Sequence, residues 1–184
     1  MLKKLSIFQK KLALVSLIIA ANALADQITK ELARIYLQGK GQINVVGDIF
    51  IMRFVRNRGA FLGIFDNLPD VFRIIVLIVI PAGLLIALFI YLLKNKNLKR
   101  YELVCFGCII GGGLSNVVDR IIYKGYVSDF LNFGIGPKFR TGVLNVADMS
   151  VTFGALALLI IYLVTSRKES ADIKSEKGNS RSQQ

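Results

Sequence analysis

TGVLNVADMSVTFGALALLIIYLV, residues 141–164, has the composition of a membrane helix except in its first turns. From Val143 to Val164 there are about 22 residues, enough at about 1.5 Å each to cross a hydrocarbon core of about 30 Å. Asn145 and Asp148 nevertheless sit at its start, Asp148 roughly 7 to 8 Å along the axis. A carboxylate at that depth is costly, so it is expected to face protein or water and to serve a function.

Three further apolar runs precede this one: Leu12–Ala25, with helical spacing continuing toward Tyr36, Val71–Leu93, and roughly Tyr101–Val118. Arg73, at the edge of the second of these, is close enough to the interface to snorkel. The expected spans are therefore about 12–36, 71–93, 101–119 and 143–164, in a chain of 184 residues that is 54% hydrophobic. The fold class that follows is an all-α membrane protein of four transmembrane helices. Its single domain covers residues 1–166, and 167–184, rich in Ser, Lys, Glu and Gln, forms a disordered cytoplasmic tail.

The net charge of +12 does not point to nucleic acid, because the basic residues flank the apolar runs. Lys3, Lys4, Lys10 and Lys11 precede the first, Lys94, Lys96, Lys99 and Arg100 lie between the second and third, and Arg167, Lys168, Lys174, Lys177 and Arg181 follow the fourth. By the positive-inside rule both termini and the 94–100 loop are cytoplasmic, and the connections at about 26–70 and 119–142 are outside. The opening MLKKLSIFQKKLALVSLIIAANALADQ also has the form of a signal peptide with cleavage after Ala25. The helical spacing through DQITKELARIYL favours retention. The first outer connection, QINVVGDIFIMRFVRNRGAFLGIF, and YVSDFLNFGIG in the second are β-branched, aromatic and punctuated by Gly, which predicts a small β-rich segment at about 40–66 with Asp129 over the helix ends.

This topology gathers the unusual polar residues in one layer at the outer face. Asp26 and Lys30 end the first span, Asn116, Asp119 and Arg120 close the third, Asn145 and Asp148 open the fourth, and Asn57 and Asp129 lie in the connections. Each has a plainer reading. Asp26 and Lys30 are an i,i+4 pair that could decorate a helix surface. Asp119 and Arg120 could be interfacial, Asn145 a helix cap, and Asn57 and Asp129 turn residues. Gly111, Gly112 and Gly113 fit close helix packing better than phosphate binding, since no P-loop Lys-Ser/Thr follows. Cys105 and Cys108, a C-x-x-C without further ligands, read as small packing residues.

The chain contains no histidine. That removes Ser-His-Asp and Cys-His nucleophilic sites and histidine-based zinc ligation. The outer layer offers carboxylates instead: Asp26, Asp119, Asp129 and Asp148. Two close carboxylates can share one proton, one acting as base on water while the other donates to a carbonyl oxygen, without cofactor or metal. The inventory alone also fits a proton-coupled transporter or channel subunit. A transporter would want ionisable residues through the full bilayer depth.

DQITK, NRGAF, GGGLSNVVDR, VSDF and NVAD, in this order across about residues 10–165, closely resemble the lipoprotein signal peptidase (signal peptidase II) family. The resemblance implies a four-helix bacterial inner-membrane aspartic protease that removes signal peptides from prolipoproteins, cutting before a diacylglyceryl-modified cysteine. It implies no cofactor, no metal and no nucleic-acid partner. Membrane lipid is expected as a partner, and the protein as a monomer. The family's catalytic pair falls on Asp129 and Asp148. Its supporting residues, which hold substrate backbone and orient the pair, fall on Asp26, Lys30, Asn57, Asn116, Asp119, Arg120 and Asn145. Phe61, Ser115, Leu144 and Met149 depart from residues common in the family and leave every carboxylate in place.

Overall fold

A computed structural model describes residues 6–59, 65, 69–136 and 138–181, with side chains as far as Arg167. Phe61 lies outside the described residues. Among the described residues four helices are long and apolar enough to cross a membrane: α1 (Ile7–Leu37), α2 (Asp70–Lys94), α3 (Arg100–Ile122) and α4 (Val146–Arg181, of which Val146–Arg167 has membrane character). A four-stranded antiparallel sheet accompanies them: β1 (Gln42–Val46), β2 (Phe50–Asn57), β3 (Val127–Ile135) and β4 (Phe139–Arg140), in that order across the sheet.

Local chemistry sets the helix limits. α1 starts earlier than its apolar run because Ser6 and Gln9 form a reciprocal capping box. It passes unbroken through Ala25–Asp26. In α2 the segment Ile75–Val79 is a π-helix just ahead of Pro81. The proline ring crowds the carbonyl one turn back and offers it no N–H, so the turn widens there. α3 continues past Asp119 to Ile122, so Asn116, Asp119 and Arg120 lie within the helix. The chain then reverses through Lys124 (φ 55°) and Gly125 (φ 95°).

α4 begins three residues later than the apolar run suggests, at Val146. Leu144 is held in an extended bridge instead: its carbonyl accepts from the N–H groups of Phe130 and Leu131, and its N–H donates to Leu131. Asp148 is therefore in the first helical turn. At the other end, α4 continues in backbone to Arg181, across the stretch whose composition predicts disorder. Its Lys, Glu, Arg and Ala residues have good intrinsic helix propensity, which needs no buried face.

α3 is the central helix: 44% of its apolar window is buried, against 6–11% for the other three. Its glycines make this possible. A Cβ on Gly112 would stand 2.5 Å from the Ala147 carbonyl of α4, and one on Gly111 2.9 Å from the Ile19 carbonyl of α1. One apolar cluster (Val15, Leu92, Leu103, Ile110) closes the end of the bundle near the 94–100 loop. A second (Ala33, Leu37, Phe130, with Met52, Phe54 and Val146 against it) seats the sheet on the opposite end.

The register of β2 on β3 decides which side chains meet. Met52 pairs with Leu131 but Val55 with Asp129, so β2 carries one extra residue between these pairs. Because side chains alternate, that bulge moves Asn57 onto the same face as Asp129, diagonally across the ladder.

Candidate active site

Asp129, in mid-β3, is 2% exposed. Its two carboxyl oxygens accept from two amides: Asn57 Nδ2 at 2.8 Å and Asn145 Nδ2 at 2.7 Å. Asn57 cannot turn its amide over, because its Oδ1 accepts from the Gly59 N–H at 3.1 Å.

Asp148 is supported on both oxygens as well. Asn116 Nδ2 donates to one at 2.9 Å and the Asn145 backbone N–H to the other at 3.1 Å. Asn145 Oδ1 in turn accepts from the Asp148 N–H at 2.9 Å. This is a reciprocal cap, so Asn145 does end α4 as the plainer reading has it. It also does more, because its Nδ2 faces Asp129 and Asn116 Oδ1. One asparagine thus touches both carboxylates.

A second polar layer lies beneath. Lys30, 1% exposed, bonds Asp26 at 2.5 Å, Asp119 at 3.0 Å and Asn116 Oδ1 at 2.9 Å. The last contact fixes the Asn116 amide with its Nδ2 toward Asp148. Asp26 and Lys30 are therefore not a surface pair. They occupy the inward stripe that continues through Ala33 and Leu37. Asp26 also accepts from the Ala147 N–H of α4 at 2.8 Å and from Ser115 Oγ at 2.7 Å. Carboxylates at a helix N-terminus meet its unpaired N–H groups and its positive dipole end. Asp119 takes Gln27 Nε2 at 2.7 Å and the Ser128 N–H at 3.3 Å, tying α3 to the start of β3. Arg120 reaches out of α3 to the Gly59 carbonyl at 3.0 Å.

Sequence reasoning did not single out Gln27 or assign Ser115 a role, yet both hydroxyl and amide belong to this network. For Gln27 the available signal was its place beside Asp26 on a helix whose stripe turns polar. The nine predicted residues all enter the network. Cys105 and Cys108 lie apart from it. Asn22 Nδ2 approaches Cys108 Sγ at 3.6 Å, and Asn22 Oδ1 accepts from Ser150 Oγ. Among the described residues no group of three His, Cys, Asp or Glu is placed to hold a metal ion.

A cavity of about 440 Å³ opens onto both carboxylates. Asn57, Asn116 and Arg120 form its polar wall, while Leu77, Pro81, Val117, Val143 and Leu144 make the rest largely aliphatic. Burial, and after it the negative charge of Asp148, pushes the Asp129 carboxyl up to about 7 against the opposing bonds from Asn57 and Asn145. A buried and a half-buried carboxyl facing one cavity form an arrangement that can hold a single proton near neutral pH and exchange it with a bound molecule.

Several known proteins resemble this chain in sequence and fold. A family model described as signal peptidase (SPase) II matches residues 18–164. The lipoprotein signal peptidase of Halothermothrix orenii is 37% identical over 155 residues, covering 84% of this chain and 98% of that protein. That of Caldanaerobacter subterraneus is 36% identical, covering 77% and 90%. A solved bacterial membrane enzyme at 2.3 Å resolution superposes with a TM-score of 0.71 at 27% identity, covering 83% of this chain and 88% of that one. The four apolar helices, the small sheet and these matches place the chain in the signal peptidase II family of membrane proteases.

Proposed function

We propose that this protein is an aspartic endopeptidase of the bacterial cytoplasmic membrane, cleaving signal peptides from prolipoproteins immediately before a diacylglyceryl-modified cysteine. The observation that carries the reading is the pair Asp129 and Asp148, each held on both oxygens by donors that share Asn145. In its resting form the pair holds one proton, with Asp129 its favoured site. The ionised partner takes a proton from a water molecule as that water attacks the scissile carbonyl carbon. The protonated partner donates to the carbonyl oxygen, giving a neutral gem-diol. Collapse then breaks the C–N bond, with one hydroxyl proton returning to the pair and a proton passing from it to the departing amine.

Arg120 and Asn116 line the cavity and position substrate backbone. The aliphatic wall from α2 and α3 accepts acyl chains, and the sheet covers the peptide. With both termini cytoplasmic, the site lies near the outer leaflet, where a lipidated cysteine already rests, and a monomer suffices. Among the described residues the buried charged groups Asp26, Lys30, Arg73, Asp119 and Asp129 gather at one end of the bundle, which supports hydrolysis over proton-coupled transport.

The test is incubation of purified protein with a diacylglyceryl-modified prolipoprotein, reading product masses. Asp129→Asn and Asp148→Asn should each abolish cleavage while lipidated substrate still binds. The double variant should be little worse than either, because the pair acts as a unit. Substantial turnover by either folded Asn variant would overturn the assignment.

A further inference from the structure

Beside the catalytic cavity lies a second groove, of about 450 Å³, between the first turns of α2 and the last turn of α3. Among its described lining residues, Arg58, Arg73, Arg120 and Lys124 are cationic and Asp70 is the one carboxylate. Asp70 already accepts from Arg58, at 2.9 Å, and from Arg73. Arg58 also stacks over the Tyr126 ring at 5.9 Å. Lys124 is a non-glycine residue in left-handed backbone (φ 55°), which fixes the direction in which the chain leaves α3. Ile74, Leu77, Ile78 and Ile121 supply the aliphatic lining, with Leu77 and Ile78 the deepest along α2.

This groove is built differently from the catalytic one. A diacylglyceryl group carries no charge, so the lipid of the proposed substrate does not account for a cationic rim. Depth matters too. From Asp70 to Leu77 is seven residues of helix, about 10 Å of axial rise, so the groove runs from headgroup level into the upper acyl region. Guanidinium groups bind phosphate oxygens in bidentate fashion, so Arg58 beside Lys124 at the interface suits a phosphate. A cationic rim over an aliphatic trough matches one chemistry in a membrane: an anionic phospholipid, phosphate above and acyl chain below.

We infer that this groove is a binding site for the phosphate headgroup and proximal acyl chain of an anionic phospholipid, set beside the active site and sharing Arg120 and Leu77 with it. Because Arg120 lines both spaces, a lipid seated there restrains the wall of the catalytic cavity.

The experiment is native mass spectrometry of the full chain released from detergent with phosphatidylglycerol, phosphatidylcholine, uncharged diacylglycerol or inorganic phosphate. Phosphatidylglycerol should bind at least ten times more tightly than phosphatidylcholine or diacylglycerol, and inorganic phosphate should compete only weakly. Arg58→Gln with Lys124→Gln should reduce phosphatidylglycerol affinity at least tenfold, whereas Arg58→Lys with Lys124→Arg should preserve it and so control for folding. Asp129→Asn should bind phosphatidylglycerol as the parent does, which separates this inference from the proposed chemistry. Unchanged affinity in the Gln variant, or equal binding of phosphatidylcholine, would overturn the inference. So would full competition by inorganic phosphate, which would mark a free-anion site, or displacement by an acidic peptide alone, which would mark a peptide subsite.

Discussion

Asp129→Asn keeps the shape of the side chain and removes its titration, so its effect on stability should change sign with pH. In the parent, the folded-state value is raised from 3.8 to about 7. The folded state therefore keeps a proton that the unfolded chain releases, and stability declines as pH rises from about 4 to about 7, then stays level. At about 1.4 kcal/mol per pH unit, the decline is about 4 kcal/mol. Asparagine is neutral throughout and avoids it. Its amide also points an N–H at a neighbour that donates, either Asn57 or Asn145, at a cost of about 1–3 kcal/mol at every pH. The variant should thus be less stable than the parent by about 1–3 kcal/mol at pH 4 and more stable by a similar amount above pH 8. Thermal unfolding in detergent, followed by far-ultraviolet circular dichroism from pH 4 to 9, would show two curves that cross. Curves that stay parallel would refute the raised value and with it the shared proton.

Other outcomes follow from the same geometry. Lys30→Met leaves Asp26 and Asp119 buried without their cation and should cost about 3–5 kcal/mol; adding Asp119→Asn should restore part of the melting temperature but not cleavage. Gly112→Ala puts a methyl group 2.5 Å from the Ala147 carbonyl and should destabilise by about 1–3 kcal/mol in detergent melts. Gly113→Ala meets only the mobile end of Leu85, at 2.8 Å, and should cost less. The pH profile of kcat/KM should fall above about 7, as Asp129 ionises and the pair loses its proton, and fall again in acid as the second carboxyl fills; a rate still rising past pH 9 would contradict the pair mechanism.

Three membrane spans were legible as long apolar runs and the first because helical spacing carries its shorter run on toward Tyr36, and the polar layer because four spans put the same helix ends on one face. What pattern could not supply was tertiary pairing. The start of α4 shifted to Val146 because Leu144 is captured by β3, an interaction between distant strands that periodicity does not register. The meeting of Asn57 with Asp129 depends on one extra residue in β2, and a bulge leaves no compositional trace. Lys30 looked like half of a surface ion pair when taken with Asp26 alone. Reading on through Ala33 and Leu37 shows the inward stripe that buries it. Arg58, Asp70, Arg73 and Lys124 converge only through the packing of α2 on α3, so their groove was invisible in the chain.

The N-terminal amides of α4 carry a further consequence. The N–H groups of Asn145, Ala147 and Asp148 each end on a side chain of the polar network, on Asp148, Asp26 and Asn145 respectively. Unwinding this single turn therefore releases Asp148, Asn145 and Asp26 together, so assembly of the proposed catalytic site and the integrity of residues 145–148 are one equilibrium. Amide hydrogen exchange at Ala147 and Asp148 should then report the fraction of assembled sites directly, even in protein to which no substrate has been added.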